Sequence, residues 1–154
     1  MDGRGTAHMG RLVCVEVGGS LNIYPGTEIK NNNSMDGRGS GIINKGTMMM
    51  YGGTISGNKF ATTEKNFQEV NLKDDDDKTY CHGGGLRNDG NCTIKDGTIS
   101  GNTAATGGGI YTTGPDYESD QKEAVLKITK CKIENNKALG TDRGTGGGIV
   151  VGSY

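Results

Sequence analysis

The hexapeptide GTISGN occurs twice in the chain, at Gly53–Asn58 and again at Gly97–Asn102. It belongs to a longer pattern that four stretches share: LNIYPGTEIKNN (21–32), MMMYGGTISGN (48–58), CTIKDGTISGN (92–102) and LKITKCKIENN (126–136). Each stretch opens with two apolar residues one position apart, continues to an isoleucine, and reaches an asparagine three positions later. Apolar residues at alternate positions are typical of a strand with one buried face, and no stretch has helical spacing.

Each of these stretches is followed by a glycine-rich block with its own apolar residue: GSGIINKG (39–46), GGGLRNDG (83–90), GGGIYTTG (107–114) and GGGIVVG (146–152). The two parts form a unit of about 24 to 26 residues, with two or three short strands joined by Gly- or Asn-rich corners. A fixed period of this length predicts a solenoid in which each coil buries its apolar face against the next. The fold class expected is all-β, a single-stranded parallel β-helix of about 4 to 5 coils, right-handed by general preference.

The repeat also predicts which side chains face the interior and which close the corners. The corner asparagines are expected to stack as a ladder in which side-chain amides of adjacent coils bond to each other, and asparagine tolerates the left-handed backbone of a tight corner. The ladder consists of Asn32, Asn58, Asn102 and Asn136. The predicted inward core consists of Leu21, Ile23, Ile29, Met48, Met50, Ile55, Leu86, Ile94, Ile99, Ile110, Leu126, Ile128, Ile133 and Ile149.

The four cysteines do not suggest a disulfide framework. Cys92 falls in the same column as Leu126, whereas Cys131 lies several positions further along its own stretch. An offset of about 15 Å along a strand exceeds the Cα separation of about 7 Å that a disulfide tolerates. We expect mostly free or buried thiols and leave the partners of Cys14 and Cys81 open; the absence of a Cys-x-x-Cys pair argues against zinc.

Composition excludes several classes of function. The 17 basic and 18 acidic residues give a net charge of −1, which argues against nucleic-acid binding. The chain has no apolar run long enough to span a membrane, so no membrane insertion is expected.

The 154 residues suffice for one domain, residues 1–154. The first residues lack the pattern of a secretory signal, so either the protein is not exported by that route or the chain is a fragment of a longer solenoid; we favour the fragment.

Two segments interrupt the repeat, at residues 59–82 and 115–124. Insertions in solenoids project as surface loops and often carry binding. Asp74 and Asp76, in the acidic run Asp74–Asp77, are weak candidate ligands for Ca²⁺, although a run of aspartates is more commonly a solvated charged surface. The sequence DDDDK also resembles the enteropeptidase recognition run of affinity tags, so an engineered origin stays open. No other cofactor or metal and no catalytic residue is expected. The candidate binding residues, including tyrosines able to stack on a sugar, are Asp74, Asp75, Asp76, Asp77, Tyr80, Tyr111 and Tyr117.

The pattern of GGGL, GGGI and SGN or ENN corners resembles the repeats of right-handed β-helix surface proteins, namely bacterial adhesin-like proteins and polymorphic outer-membrane proteins. This resemblance covers about two-thirds of the chain. It implies an extracellular or cell-surface location and a host-surface or matrix ligand, with glycans as one candidate.

Three functions remain open from the sequence. The first is a non-catalytic adhesin stalk or binding scaffold. The second is a self-assembling fibre or phage tail component, built by end-to-end stacking through exposed strand edges. The third is a fragment of a carbohydrate-active β-helix enzyme, a polysaccharide lyase or hydrolase; this third class needs paired carboxylates on one face, and the acidic residues of the regular strands share no column.

Overall fold

Each strand in the described part of the chain pairs in parallel with the equivalent strand one coil away. The computed structural model describes residues 1–3, 7–8, 10–34, 41–60, 82–113, 123–139 and 146–152. The strands are β1 (Ala7–His8), β2 (Val13–Val15), β3 (Ser20–Ile23), β4 (Glu28–Lys30), β5 (Asn33–Ser34), β6 (Ile42–Asn44), β7 (Thr47–Met50), β8 (Thr54–Ser56), β9 (Lys59–Phe60), β10 (Leu86–Asn88), β11 (Asn91–Ile94), β12 (Thr98–Ser100), β13 (Thr103–Ala104), β14 (Ile110–Thr113), β15 (Val125–Ile128), β16 (Lys132–Glu134), β17 (Lys137–Ala138) and β18 (Ile149–Gly152).

These strands form four parallel sheets, and the chain visits the sheets in turn. Sheet 1 has the order β1-β5-β9-β13-β17, sheet 2 has β2-β6-β10-β14-β18, sheet 3 has β3-β7-β11-β15, and sheet 4 has β4-β8-β12-β16. One strand from each sheet makes one coil, so the protein is an all-β parallel β-helix with four to five coils. The right-handed winding stays a prediction, because strand pairing does not give the hand.

The register of the sheets confirms the unit length and defines the insertions. Leu86 pairs with Ile110, a coil of 24 residues, whereas Ile55 pairs with Ile99, 44 positions on. The longer coil therefore holds about twenty extra residues, yet both coils keep their apolar residues aligned. The predicted insertion 59–82 is too wide, since β9 pairs within sheet 1 and His82 bridges Thr106. The extra residues are 61–81.

Four strands per coil, where two or three were predicted, result from the short strands of sheet 1. All five of its members have two residues each and pair in register with their neighbours. A two-residue strand has one inward position, so it shows no alternation in the sequence.

The apolar columns meet in one core that runs along the solenoid. Nine of the predicted inward residues are buried: Ile23, Ile29, Met48, Met50, Ile55, Leu86, Ile94, Ile99 and Ile110. Leu21, Leu126 and Ile133 pack against this core and are partly buried. Burying such side chains contributes roughly 1.5 to 3 kcal/mol each relative to exposure.

Ile128 and Ile149 correct the predicted core. They align with Ile94 and Ile110, so their columns are as predicted. Their side chains nevertheless remain 37% and 40% exposed. Among the described residues, β15 and β18 each pair with a strand on one side only, and these side chains are covered from one side only.

The corner between sheets 4 and 1 contains the asparagine ladder: Asn32, Asn58, Asn102 and Asn136. Asn58 Nδ2 donates to Asn102 Oδ1, and Asn102 Nδ2 donates to Asn136 Oδ1, each at 3.0 Å. The same Asn102 Oδ1 also accepts from the backbone N–H of Asn58, and Asn102 Nδ2 also donates to the carbonyl of Ile55. The side-chain amides of Asn58 and Asn102 therefore bond both to the next amide and to backbone, so these two buried groups are satisfied.

The left-handed backbone expected at the ladder asparagines is found one residue earlier. Asn31, Gly57, Gly101 and Asn135 have φ between 55° and 63°. The residue before the ladder makes the bend, and the ladder residue itself provides the hydrogen bonds.

The glycine triplets make room for the ladder. A Cβ on Gly85 would lie 2.9 Å from Asn102 Nδ2 and 2.7 Å from the carbonyl oxygen of Gly109. Gly41 and Gly109 approach Asn58 and Asn136 in the same way. Distances below about 3 Å leave no space for a methyl group, so the third glycine of the block and the corner asparagine depend on each other.

A second polar column lies inside sheet 2 and was not predicted. It consists of Asn44, Asn88 and Thr112, all buried. Asn44 Nδ2 donates to Asn88 Oδ1 at 2.8 Å, and Asn88 Nδ2 donates to Thr112 Oγ1 at 3.0 Å. One coil earlier, the register partner of Asn44 is Val15 on β2. Within the described part of the chain, Asn44 Oδ1 has no hydrogen-bond partner.

Cys14, Cys92 and Cys131 are free thiols, whereas Cys81 lies outside the described residues. The separation predicted for Cys92 and Cys131 assumed one straight strand, but Cys131 lies at the corner after β15 and packs against the core that contains Cys92. Burial, and secondarily the nearby Cys131, raise the pKa of Cys92 to about 12. The Cys92 thiol is therefore protonated and unreactive at neutral pH.

The unpaired Asn44 oxygen predicts an unequal response to two similar substitutions. Val15→Thr supplies a hydroxyl beside Asn44 Oδ1, so we expect the free energy of unfolding to change by less than about 0.5 kcal/mol or to rise. Val13→Thr, on the same strand, places its hydroxyl beside Ile42 and should cost about 1 to 3 kcal/mol. Urea unfolding followed by circular dichroism compares the two; an equal loss in both variants would contradict this role for Asn44.

Candidate functional site

Sheet 2 lies between the two corners at which coil length varies. Connections from sheet 1 to sheet 2 include residues 9–12, 61–85 and 105–109, and those from sheet 2 to sheet 3 include 45–46 and 114–124. The connections from sheet 4 to sheet 1 all have two residues, and those from sheet 3 to sheet 4 have three or four. The first insertion therefore ends at sheet 2 and the second begins at sheet 2, whereas the connections on the opposite side of the solenoid are nearly constant in length.

The outer face of sheet 2 carries a cluster of polar and aromatic side chains, here called the sheet 2 cluster: His82, Arg87, Asp89, Tyr111 and Thr113. Arg87 Nε lies 2.8 Å from Asp89 Oδ2 and 3.0 Å from Oδ1, with side-chain exposures of only 12% and 20%. Thr113 Oγ1 donates to the same carboxylate. Strand alternation produces this arrangement, because Arg87 and Tyr111 are neighbours in register and point away from the core.

His82 covers Tyr111 at the point where the first insertion rejoins the coil. Their ring centroids are 4.2 Å apart with 25° between the ring planes. His82 forms a parallel bridge with Thr106, and the next amide, Gly83 N–H, donates to the Thr106 carbonyl at 3.0 Å. The stack and this hydrogen bond fix the end of the insertion on sheet 2.

The electrostatics of this cluster keep His82 neutral. Burial, and secondarily the Arg87 guanidinium, lower the pKa of His82 from 6.5 to about 4, against the opposing effect of Asp89. At neutral pH the imidazole is uncharged and packs as an aromatic group. The Asp89 carboxylate already accepts hydrogen bonds from Arg87 and Thr113.

Tyr111 corrects a prediction. It was a candidate for stacking on a sugar, but its side chain is 3% exposed and its ring packs on His82. The other predicted binding residues, Asp74 to Asp77, Tyr80 and Tyr117, lie outside the described residues, and so does most of the segment 115–124. Among the residues that the structure does describe, no three metal-ligating side chains come together.

Two tyrosines that the sequence reading missed are exposed at the corner between sheets 3 and 4. Tyr24 and Tyr51 stack at 5.3 Å with 7° between their planes, and Lys95 Nζ lies 5.0 Å from the centroid of the Tyr51 ring. Tyr24 is 56% exposed. The cation–π contact and the stack stabilise the corner on its outside.

The sequence carries a signal for part of the sheet 2 cluster. The blocks GGGLRNDG and GGGIYTTG align Arg87 with Tyr111 and Asp89 with Thr113. Given the inward Leu86 and Ile110, alternation places Arg87 and Tyr111 on the outer face. His82 carries no such signal, because its position depends on where the insertion ends.

No helix long and apolar enough to cross a membrane occurs in the described ranges. Comparison of the chain with protein-family models, curated proteins and solved structures found no match.

The buried position of the Arg87–Asp89 pair predicts a large effect from removing one partner. Asp89→Asn leaves the guanidinium uncompensated at 12% exposure, so we expect a loss of about 2 kcal/mol in the free energy of unfolding. The matched control is Glu134→Gln, which breaks the exposed Lys132–Glu134 pair and should cost less than about 1 kcal/mol. Denaturant unfolding at low and high salt measures both; equal losses would mean that the Arg87–Asp89 pair is not stabilising.

Proposed function

We propose that this protein is a non-catalytic β-helix module that acts as a binding scaffold, extracellular or at a cell surface. The observation that carries the proposal is the restriction of length variation to the two corners beside sheet 2. The asparagine ladder and the apolar columns keep their register through an insertion of about twenty residues. A frame that tolerates insertions on one side while the other side stays constant suits the display of binding loops.

The arrangement of the acidic groups also supports a binding function over a catalytic one. Five carboxylates of the described residues form ion pairs, those of Glu16, Glu28, Asp89, Asp96 and Glu134. Hydrolysis of a glycosidic bond needs two carboxyl groups that face one substrate. Here each of these carboxylates is neutralised by a lysine or arginine.

The ligand class that we propose is a glycan or matrix component of a host surface. The sequence resemblance to adhesin-like β-helix proteins suggests this class. The polar cluster on sheet 2 and the two insertions beside it give the face where such a ligand would bind.

Shortening the first insertion tests the proposal. Coil 86–110 provides the template, because one residue, Ala105, stands where the longer coil has 61–81. Replacing 61–81 by a single alanine should preserve the β-sheet circular dichroism spectrum, since both ends keep their register. We expect binding to a printed glycan array, seen for the unaltered chain, to fall at least tenfold.

The second insertion gives a matched variant. Replacing 114–124 by one glycine copies Gly90 in the shorter coil. If both shortened variants bind the array as the unaltered chain does, the corners beside sheet 2 do not carry binding. An unaltered chain that binds no glycan rejects the glycan class.

End-to-end association of copies is a second candidate function. It is favoured by the exposed apolar side chains of β15 and β18, those of Val125, Ile128, Ile149 and Val151. Contiguous exposed apolar strands are typical of association surfaces. Sedimentation velocity over a hundredfold concentration range tests it: the unaltered chain should form larger species and Ile128→Lys should not. A monomer at all concentrations would exclude the fibre.

A further inference from the structure

The His82–Tyr111 contact responds to charge because of where His82 lies. The imidazole is largely buried, stacks on one aromatic ring, and is near the Arg87 guanidinium. A neutral ring gains from this packing, whereas an imidazolium ion would lose its hydration beside another cation. We propose that protonation of His82 breaks its contact with Tyr111 and uncovers the face of the Tyr111 ring on sheet 2.

Within the described ranges, the charged groups that act on His82 are Arg87 and Asp89, on β10 and directly after it. Arg87 on β10 disfavours the protonated ring, and Asp89 after β10 favours it. Asp89 makes hydrogen bonds to Arg87 and Thr113, so it does not turn toward His82 without giving up those partners. Tyr111 on β14 contributes an aromatic face.

The opening is confined to the residues around His82, because the chain is bound to the neighbouring coil less densely at His82 and Gly83 than from Gly84 onward. His82 forms an isolated bridge with Thr106 and stacks on Tyr111, and the Gly83 amide donates to the Thr106 carbonyl. From Gly84 onward the hydrogen bonds are denser, since Gly84 donates to Gly107 and accepts from Gly41, and the Gly85 amide donates to both Gly108 and Gly109. Leu86 is fully buried in the core. The separation therefore stops before Gly84, and the coils stay intact.

The direction of the pH dependence follows from the lowered pKa. Protons bind the released His82 near its ordinary pKa of 6.5 and the stacked His82 only at about 4. The closed contact is therefore fully favoured above pH 6.5 and is progressively lost as the pH falls toward 4. Between these limits the ratio of open to closed forms rises by up to about 300-fold. The change takes place whether or not sheet 2 binds a ligand.

Nuclear magnetic resonance of the full chain tests the proposal, since it has only two histidines. During titration from pH 7.5 to 3.5, the His82 imidazole, the Gly83 amide and the Tyr111 ring signals should change with one midpoint between 6.5 and about 4. His82→Phe keeps a ring on Tyr111 but cannot take up a proton, so its Gly83 and Tyr111 signals should not follow that midpoint. The same transition in His82→Phe would overturn the proposal.

A second variant covers the case in which His82→Phe does not fold. Arg87→Met removes the neighbouring cation, and Asp89 then favours the imidazolium, so the midpoint should move to higher pH. Protonation of His82 in the unaltered chain without any change at Gly83 or Tyr111 would overturn the proposal by itself. So would an Arg87→Met midpoint that is unchanged or lower.

Discussion

The fold depends on one interaction, the buried amide contact that joins a corner asparagine to the coil on each side of it. The oxygen of Asn102 accepts from both the amide side chain and the backbone N–H of Asn58, and its nitrogen donates to Asn136 and to Ile55. A buried amide left without these partners would cost free energy comparable to several methylene groups. The ladder therefore fixes the register of every coil at one corner, and the apolar columns follow.

This constraint explains why the sequence is rich in glycine. Gly85 has no side chain because Asn102 and the Gly109 carbonyl occupy that space. The triplets and the asparagines, which stand in separate blocks of the sequence, are therefore two parts of one packing arrangement. The ladder corner keeps two residues in every described coil, whereas coil length varies in the two connections beside sheet 2.

How far the sequence predicted the structure follows from the same physics. Alternating apolar residues and repeated asparagines gave the solenoid, its period and most of its core, because each pattern spans several coils. The strands of sheet 1 escaped prediction since two residues show no period. Burial of Tyr111 could not be read from its own stretch, because His82 comes from a distant part of the chain. Asn88 and Thr112 looked like ordinary polar residues until the register aligned them.

The hydrogen bonds of the two polar columns give the solenoid an electrostatic polarity along its axis. In the ladder, the amide-to-amide hydrogen bonds of Asn58 and Asn102 run toward later coils, while each nitrogen also donates to a carbonyl of the preceding coil. In the second column, the side-chain hydrogen bonds of Asn44 and Asn88 also run toward later coils. The side-chain to side-chain hydrogen bonds of both columns thus run in one direction, and aligned hydrogen bonds polarise one another. Asn44 Oδ1 is the negative end of its column. A molecule built in this way has two electrostatically different ends, even though its coils look alike.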